Sequence, residues 1–366
     1  MPAPSKSRGR SKSKGGKDGS EEPNKGGGTL TIPEIPTVTL KGEQPLTYTP
    51  WLVIRYAVGD YGGRPLPPGT VFWESPDVWS EGSGGINQPV VGEPTAVFAR
   101  VSNFGLQQAN GVVVKFWWAN PSLAITESSA HLIGIGFANI PSKRTVVLEC
   151  PKRWVPIEEN GGHECLLAEA YVPGHDELEH PMLPELDRHV GQKNEYLVTA
   201  APGGEFHFTL HGANLAPLRQ AVAFEVRAVA ADELPPLFER RTELRDTELL
   251  PPSAQLPLTL HVRETENSYV APSDAFARGL LALGSSPTAC LPVPWISHSV
   301  ELEPWESRTI ELSGMVPQDA AIGETFMFRV IQRIGPVVMG GYTVGVLVAK
   351  RGAPRRAKSR TAAKRK

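Results

Sequence analysis

The residues best equipped for chemistry sit close together. His163, His175, His180 and His189 fall within 27 residues of one another, with Cys150 and Cys165 nearby. Imidazole and thiolate are the preferred protein ligands of zinc. His163, His175, His180 and Cys165 are therefore the metal candidates. Their spacing argues against known frames. His175-Asp176-Glu177-Leu178-Glu179-His180 separates its histidines by five, which on a helix turns them about 140° apart. H-E-x-x-H keeps both on one face. His163-Glu164-Cys165 lacks the downstream P-C-x-x-C of a zinc deaminase. The plainer reading is a solvated His-rich loop with a core position at His163, and no metal or cofactor is assigned.

Nucleophilic catalysis needs Ser, Cys or Thr beside a base. The sequence has no G-x-S-x-G, and Gly26-Gly27-Gly28 and Ser83-Gly84-Gly85 open no phosphate-binding loop, since no G-K-[ST] follows. No catalytic residues are assigned, and the chain is expected not to be an enzyme. Its cysteines, Cys150, Cys165 and Cys290, leave at least one thiol unpaired. No apolar segment follows the basic N-terminus, so no signal peptide is expected. A cytoplasmic location is the simplest expectation, with leaderless export as the alternative. Reduced Cys150 and Cys165 are then favoured over a disulfide. Trp73, Trp79, Trp117 and Trp154 could form a stacking platform for sugars or a partner, against the commoner role of core packing.

Charge is segregated. Residues 1–27 carry seven Lys/Arg against three Asp/Glu, and 350–366 carry nine Lys/Arg and no acid. With a total of −2, the body between them is strongly acidic. Arg355, Arg356, Lys358, Arg360, Lys364, Arg365 and Lys366 have the composition of a non-specific polyanion binder. No interleaved aromatic supplies base stacking. A plain solubilising tail is the competing reading.

These residues must be positioned by strands. The 366 residues include 36 Gly and 35 Pro, nearly a fifth of the chain against about 12% on average. Such punctuation suits short strands and turns. Strands are expected at 51–58, 96–103, 112–119, 132–137, 145–149, 165–172 and 196–199. The pattern then returns at 206–210, 221–228, 258–263, 299–302, 308–312, 325–331 and 337–348. Asn110-Gly111 suits a hairpin turn. A Pro-rich loop over 233–256 and a short helix over Ser273–Leu283 complete the reading. On the strand 112–118, Lys115 faces water with Val113 and Trp117, and Val112, Val114, Phe116 and Trp118 face inward. Glu164 and Glu169 have opposite parity, which requires a bulge or a strand end between them.

Val97-Phe98-Ala99-Arg100-Val101-Ser102-Asn103-Phe104-Gly105 resembles the ARV-x-N-x-G strand and turn of bacterial cell-adhesion-related, CARDB-type immunoglobulin-like repeats. Val112–Pro121 is similar to their next strand, and Gly162-His163-Glu164-Cys165-Leu166-Leu167-Ala168 to their late strand. Asn194–Val198 takes the place of the closing strand. The resemblance covers about 90–200 and implies a core Trp on the strand 112–118 packing near Cys165. A second one, over about 297–349, rests on Leu302-Glu303-Pro304-Trp305-Glu306-Ser307, which is similar to the L-x-P-G-E-S ending of other bacterial modules but carries Trp305 where Gly is usual. Both imply fold; members are mostly non-catalytic accessory or adhesion modules.

The sequence thus predicts an all-β protein of two tandem immunoglobulin-like β-sandwiches with disordered basic termini. Residues 1–28 form a tail and 29–70 a lead-in packing on the first sandwich. The sandwiches span 71–200 and 201–349, and 350–366 is the second tail. The expected function is structural or interaction-based, through an unknown protein partner. Non-specific nucleic-acid binding through the tails is the alternative, and a metal-dependent or carbohydrate-active enzyme is the third. No transmembrane segment is expected.

Overall fold

A computed structural model describes residues 49–157, 164–229, 258–262, 268–269 and 296–350. The Pro-rich loop, the short helix, residues 1–28 and residues 351–366 lie outside the described residues, as do His163 and Cys290. The described residues are all-β and contain no helix, and so none long and apolar enough to cross a membrane.

The first sandwich comprises β1 (Leu52–Val53), β2 (Val78–Gly82), β3 (Gly85–Ile86), β4 (Ala96–Asn103), β5 (Ala109–Ala119), β6 (Ala130–Ile140), β7 (Arg144–Glu149), β8 (Cys165–Tyr171) and β9 (Val190–Lys193). One sheet orders β1-β4-β2-β3 with β7 on β4; the other orders β6-β5-β8-β9. The second sandwich comprises β10 (Glu195–Ala200), β11 (Glu205–Ala213), β12 (Gln220–Ala228), β13 (Leu258–Val262), β14 (Ser268–Tyr269), β15 (Ile296–Leu302), β16 (Glu306–Met315), β17 (Thr325–Ile334) and β18 (Val337–Val348). Its sheets order β10-β18-β17-β12-β15 and β11-β16-β13 with β14 on β16.

The two sandwiches repeat one plan. The order β6-β5-β8-β9 reappears as β15-β12-β17-β18, and the β4–β7 pair reappears as β11–β16. Fully buried asparagines mark equivalent corners. Asn103 Nδ2 donates to the carbonyls of Gln107 and Ile140, and its Oδ1 accepts from the amides of Trp51 and Gly105. Asn214 Nδ2 donates to Leu218 and Leu302, and its Oδ1 accepts from the Ala216 amide. Each side chain satisfies chain ends that are closed off from water, the reason an N-x-G corner needs Asn. The turns into β7 and β16 also correspond. Lys143 (φ 57°) and Trp305 (φ 63°) both take left-handed backbone, so Trp305 occupies the conformation for which Gly is usual. Lys143 is exposed. Lys143→Gly should therefore raise stability by up to about 1 kcal/mol, and the β-branched Lys143→Val should lower it by about 1–2. Urea unfolding of both variants checks this.

Three sequence expectations need correction. The strand at 196–199 does not close the first sandwich: β9 does, and β10 instead runs parallel to β18 in the second. The chain crosses between sandwiches at buried Asn194, whose amide donates to the Trp73 carbonyl at 2.8 Å and whose Nδ2 donates to the Gly341 carbonyl at 3.0 Å. The expected strand at 51–58 is paired only over Leu52–Val53, because Arg55 turns away to an ion pair with buried Asp77. Cys165 does not share a core with the inward Trp of β5. Leu166, Ala168 and Ala170 face the first core alongside Val112, Val114 and Phe116, with Trp118 packed against them. Cys165 and Leu167 face the core of the second sandwich. No bulge interrupts β8 against β5; Glu164 precedes the strand, and Glu169 lies buried on the Cys165 side.

The sandwiches form one compact unit with a built junction. Trp73 is fully buried and packs with Leu66, Phe72, Ile331 and Val338, so the lead-in touches β17 and β18 as well as the first sandwich. Its Nε1 donates to Thr343 Oγ1 at 3.1 Å. Arg329 reaches Glu74 through Nε at 2.7 Å and Nη2 at 3.0 Å. A Cβ at Gly341 would lie 2.3 Å from the Trp73 ring, and one at Gly340 would lie 1.8 Å from the Leu123 carbonyl oxygen. The Gly340-Gly341 pair within a strand marks this close approach, a signal the sequence reading passed over.

Candidate functional site

Among the described residues, the metal candidates Cys165, His175 and His180 are not brought together; His163 lies outside them. Cys165 is fully buried, and desolvation pushes its thiol up to about 12, which removes the thiolate a ligand or nucleophile needs. Its sulfur lies 3.5 Å from the Ser122 amide and 3.7 Å from the Ser122 carbonyl. His175 is exposed and His180 half-buried. Among the described residues no three His, Cys, Asp or Glu side chains are grouped to hold a metal. Cys150 is a second free, buried thiol in the other core, its pKa raised by burial.

His189 does hold a defined position. The loop from β8 to β9 folds back on Asp187, whose Oδ2 accepts from the amides of Glu179 and His180 and whose Oδ1 accepts from the His189 amide. His189 Nδ1 lies 2.6 Å from Asp187 Oδ1, and Nε2 lies 3.2 Å from Asp176 Oδ1. Arg188 also pairs with Asp176. Burial disfavours both charges, but the pairing outweighs it. Asp187 is held down at about 2, chiefly by His189, and His189 is raised by Asp176 and Asp187. The network fastens the loop, and His189, Asp187 and Asp176 are all buried.

Of the four tryptophans, Trp73, Trp79 and Trp154 are buried. Only Trp117 is partly accessible, and it belongs to an unusual face. Opposite each other on the outer side of the β6-β5-β8 sheet lie Phe137–Val113–Tyr171, Ile135–Lys115–Glu169 and Leu132–Trp117–Leu167. The Leu167 end runs under the second sandwich. The β6 end is open, with Phe137 72% exposed, Leu132 47% and Ile135 38%. Strict alternation would group Ile133 with Ile135 and Phe137. A bulge at Phe116/Trp117 leaves Ile133 as the extra residue, turned into the first core, and brings Leu132 onto the outer face.

Lys115 sits centrally, its Nζ 5.3 Å from the Tyr171 ring centroid and 5.9 Å from that of Trp117. Trp117 Nε1 donates to Glu169 Oε2 at 3.1 Å, and the Met182 amide donates to Oε1 at 3.2 Å. Burial raises the Glu169 carboxyl, against the pull of Lys115 and these donors. The Glu169 carboxylate and the Trp117 indole are paired within the face. The face presents apolar side chains along a strand that lies at the edge of its sheet among the described residues. It can bury area and accept a paired strand; it offers no activated nucleophile. The basic residues Arg355, Arg356, Lys358, Arg360, Lys364, Arg365 and Lys366 lie outside the described residues.

No protein-family model matches the chain, and no curated protein matches it significantly. Among solved structures, it is similar to a family 123 glycoside hydrolase from Clostridium perfringens at 10% identity and TM-score 0.24, covering 43% of this chain and 23% of that one. It is similar to the collagen adhesin CNA of S. aureus at 10% identity and TM-score 0.21, covering 74% and 92%. The Enterococcus faecalis adhesin ACE follows at 9% identity and TM-score 0.20, covering 71% and 92%. The chain thus spans less than a quarter of the hydrolase's length. Likenesses this low carry no argument, and the fold rests on the strand pairing itself.

Proposed function

We propose that this chain is a non-catalytic interaction protein whose first sandwich docks a protein partner on the β6 edge. The observation that carries the reading is the row Leu132, Ile135 and Phe137 on the outer face of a strand that, among the described residues, lies at the edge of its sheet. Apolar side chains are costly to leave in water, and an edge strand carries unpaired backbone groups that template another strand. A partner segment that adds a strand to β6 would satisfy both, with backbone hydrogen bonds for affinity and the aromatic-aliphatic row for specificity. The CARDB-type resemblance over 90–200 supports a non-catalytic module of this kind. Two unbridged, buried thiols in separate cores fit a reducing compartment.

A photo-crosslinking amino acid at position 137 tests the docking face, with position 218 as control, since Leu218 on the second sandwich is equally exposed at 71%. The expected result is a discrete adduct from 137 and none from 218. Equal, diffuse labelling from both would overturn the β6 assignment.

A further inference from the structure

The junction contains a titratable group that the docking face does not use. Glu185 is 4% exposed, and neither Oε1 nor Oε2 has a hydrogen-bond partner beyond the residue's own amide. It lines a cavity of about 20 Å³ between the sandwiches. Leu66, Phe72, Val337 and Val338 form apolar walls, with Pro68 and Pro336 beside them. Arg64 is the nearest cation, but its guanidinium is committed elsewhere: Nε donates to the Pro184 carbonyl, and Nη1 and Nη2 donate to Asp60. An unpaired buried carboxyl is costly unless something arrives to pair with it.

We propose that the Glu185 cavity is a receptor site for an alkylammonium group, the chemistry of a lysine side-chain tip or a free primary amine. A compact ammonium fits a space of one or two water volumes, whereas a planar guanidinium is larger and spreads its donors in a fork. The walls of Leu66, Phe72, Val337 and Val338 suit the methylene stem behind the ammonium. The chain's acidic body favours approach of a cation. Burial also pushes the empty carboxyl up to about 8, so a bound cation must displace its proton. Binding should then tighten with pH, by about tenfold between pH 7 and 9.

The test uses the full chain and ligand-observed NMR with n-butylammonium, guanidinium and an acetyl-lysine-methylamide probe. The expected results are binding of n-butylammonium, at least tenfold weaker binding of guanidinium, and loss of both in Glu185→Gln. Equal binding of the lysine probe places the source in a peptide; binding of the small amine alone places it in a metabolite. Both outcomes support the site. Should Glu185→Gln fail to fold, calorimetry of the natural chain in two buffers of different ionisation enthalpy decides instead, because displacement of the Glu185 proton is expected. No binding at tens of millimolar at pH 9, or binding at pH 7 without proton release, would overturn the proposal and leave the cavity as a water site.

Discussion

Trp73→Ala should cost about 3–5 kcal/mol and uncouple the two sandwiches, so that the natural chain is expected to unfold in one transition and the variant in two. Trp73 is fully buried between the sandwiches, so truncation opens a cavity against Ile331 and Val338. It also removes the donor to Thr343. The Glu74–Arg329 pair beside it would then face a looser, wetter junction and lose strength. Urea unfolding followed by tryptophan fluorescence and far-UV circular dichroism reads both effects. Coincident transitions with a loss under about 1 kcal/mol would mean that the sandwiches are coupled elsewhere.

Asp187→Ala should be comparably damaging, at about 3–5 kcal/mol, because it removes the nearer of the two carboxylates that pair with buried His189 and unties three backbone amides. The pH dependence separates this network from simple packing. Asp187 has its carboxyl pKa held below its ordinary 3.8, at about 2. Its contribution is therefore complete above 3.8 and is lost as pH falls through about 2. His189 is raised above its ordinary 6.5, so its contribution is complete below 6.5 and fades as pH rises through the folded value. Asp187 and His189 together support the loop most between about 3.8 and 6.5. Glu185 on the same loop, raised by burial from its ordinary 4.5 to about 8, adds its own decline as pH rises from about 4.5. His189→Gln should therefore remove only the part of the alkaline decline that begins above 6.5. Thermal melts from about pH 2 to about pH 9, for both variants, measure it. An unchanged alkaline limb in His189→Gln would show that the imidazole stays neutral in the fold.

Much of this architecture was legible in the residues. Ala96–Asn103 matches the expected strand, and the parity around Lys115 places Val112, Val114 and Phe116 inward as alternation requires. The Asn103-Phe104-Gly105 corner carried its meaning because its hydrogen bonds are local. Its partner at Asn214 lacks the following Gly and was passed over. The faces of β8 were harder. Both sides of that strand are buried, one in each core, so hydrophobicity alone does not say which core receives Cys165. Likewise the β9–β10 crossing leaves almost no sequence mark, because a single Asn194 carries the chain between sheets. The exposed row on β6 was hidden by the bulge, which exchanges Ile133 for Leu132. The histidines drew attention by their proximity in sequence, whereas the fold uses His189 to fasten a loop and leaves His175 in water.

The central claim is that the β6 face binds a protein partner. It is tested most directly by comparing the full natural chain with Phe137→Asp as bait in nuclease-treated native lysate. Phe137 is 72% exposed, so the substitution should change stability by no more than about 0.5 kcal/mol. A buried aromatic anchor in an interface is typically worth about 2 kcal/mol or more. The account predicts one stoichiometric partner retained by the natural chain and reduced at least about thirtyfold with Phe137→Asp. Equal retention by the two chains, or capture that disappears with nuclease alone, would contradict it.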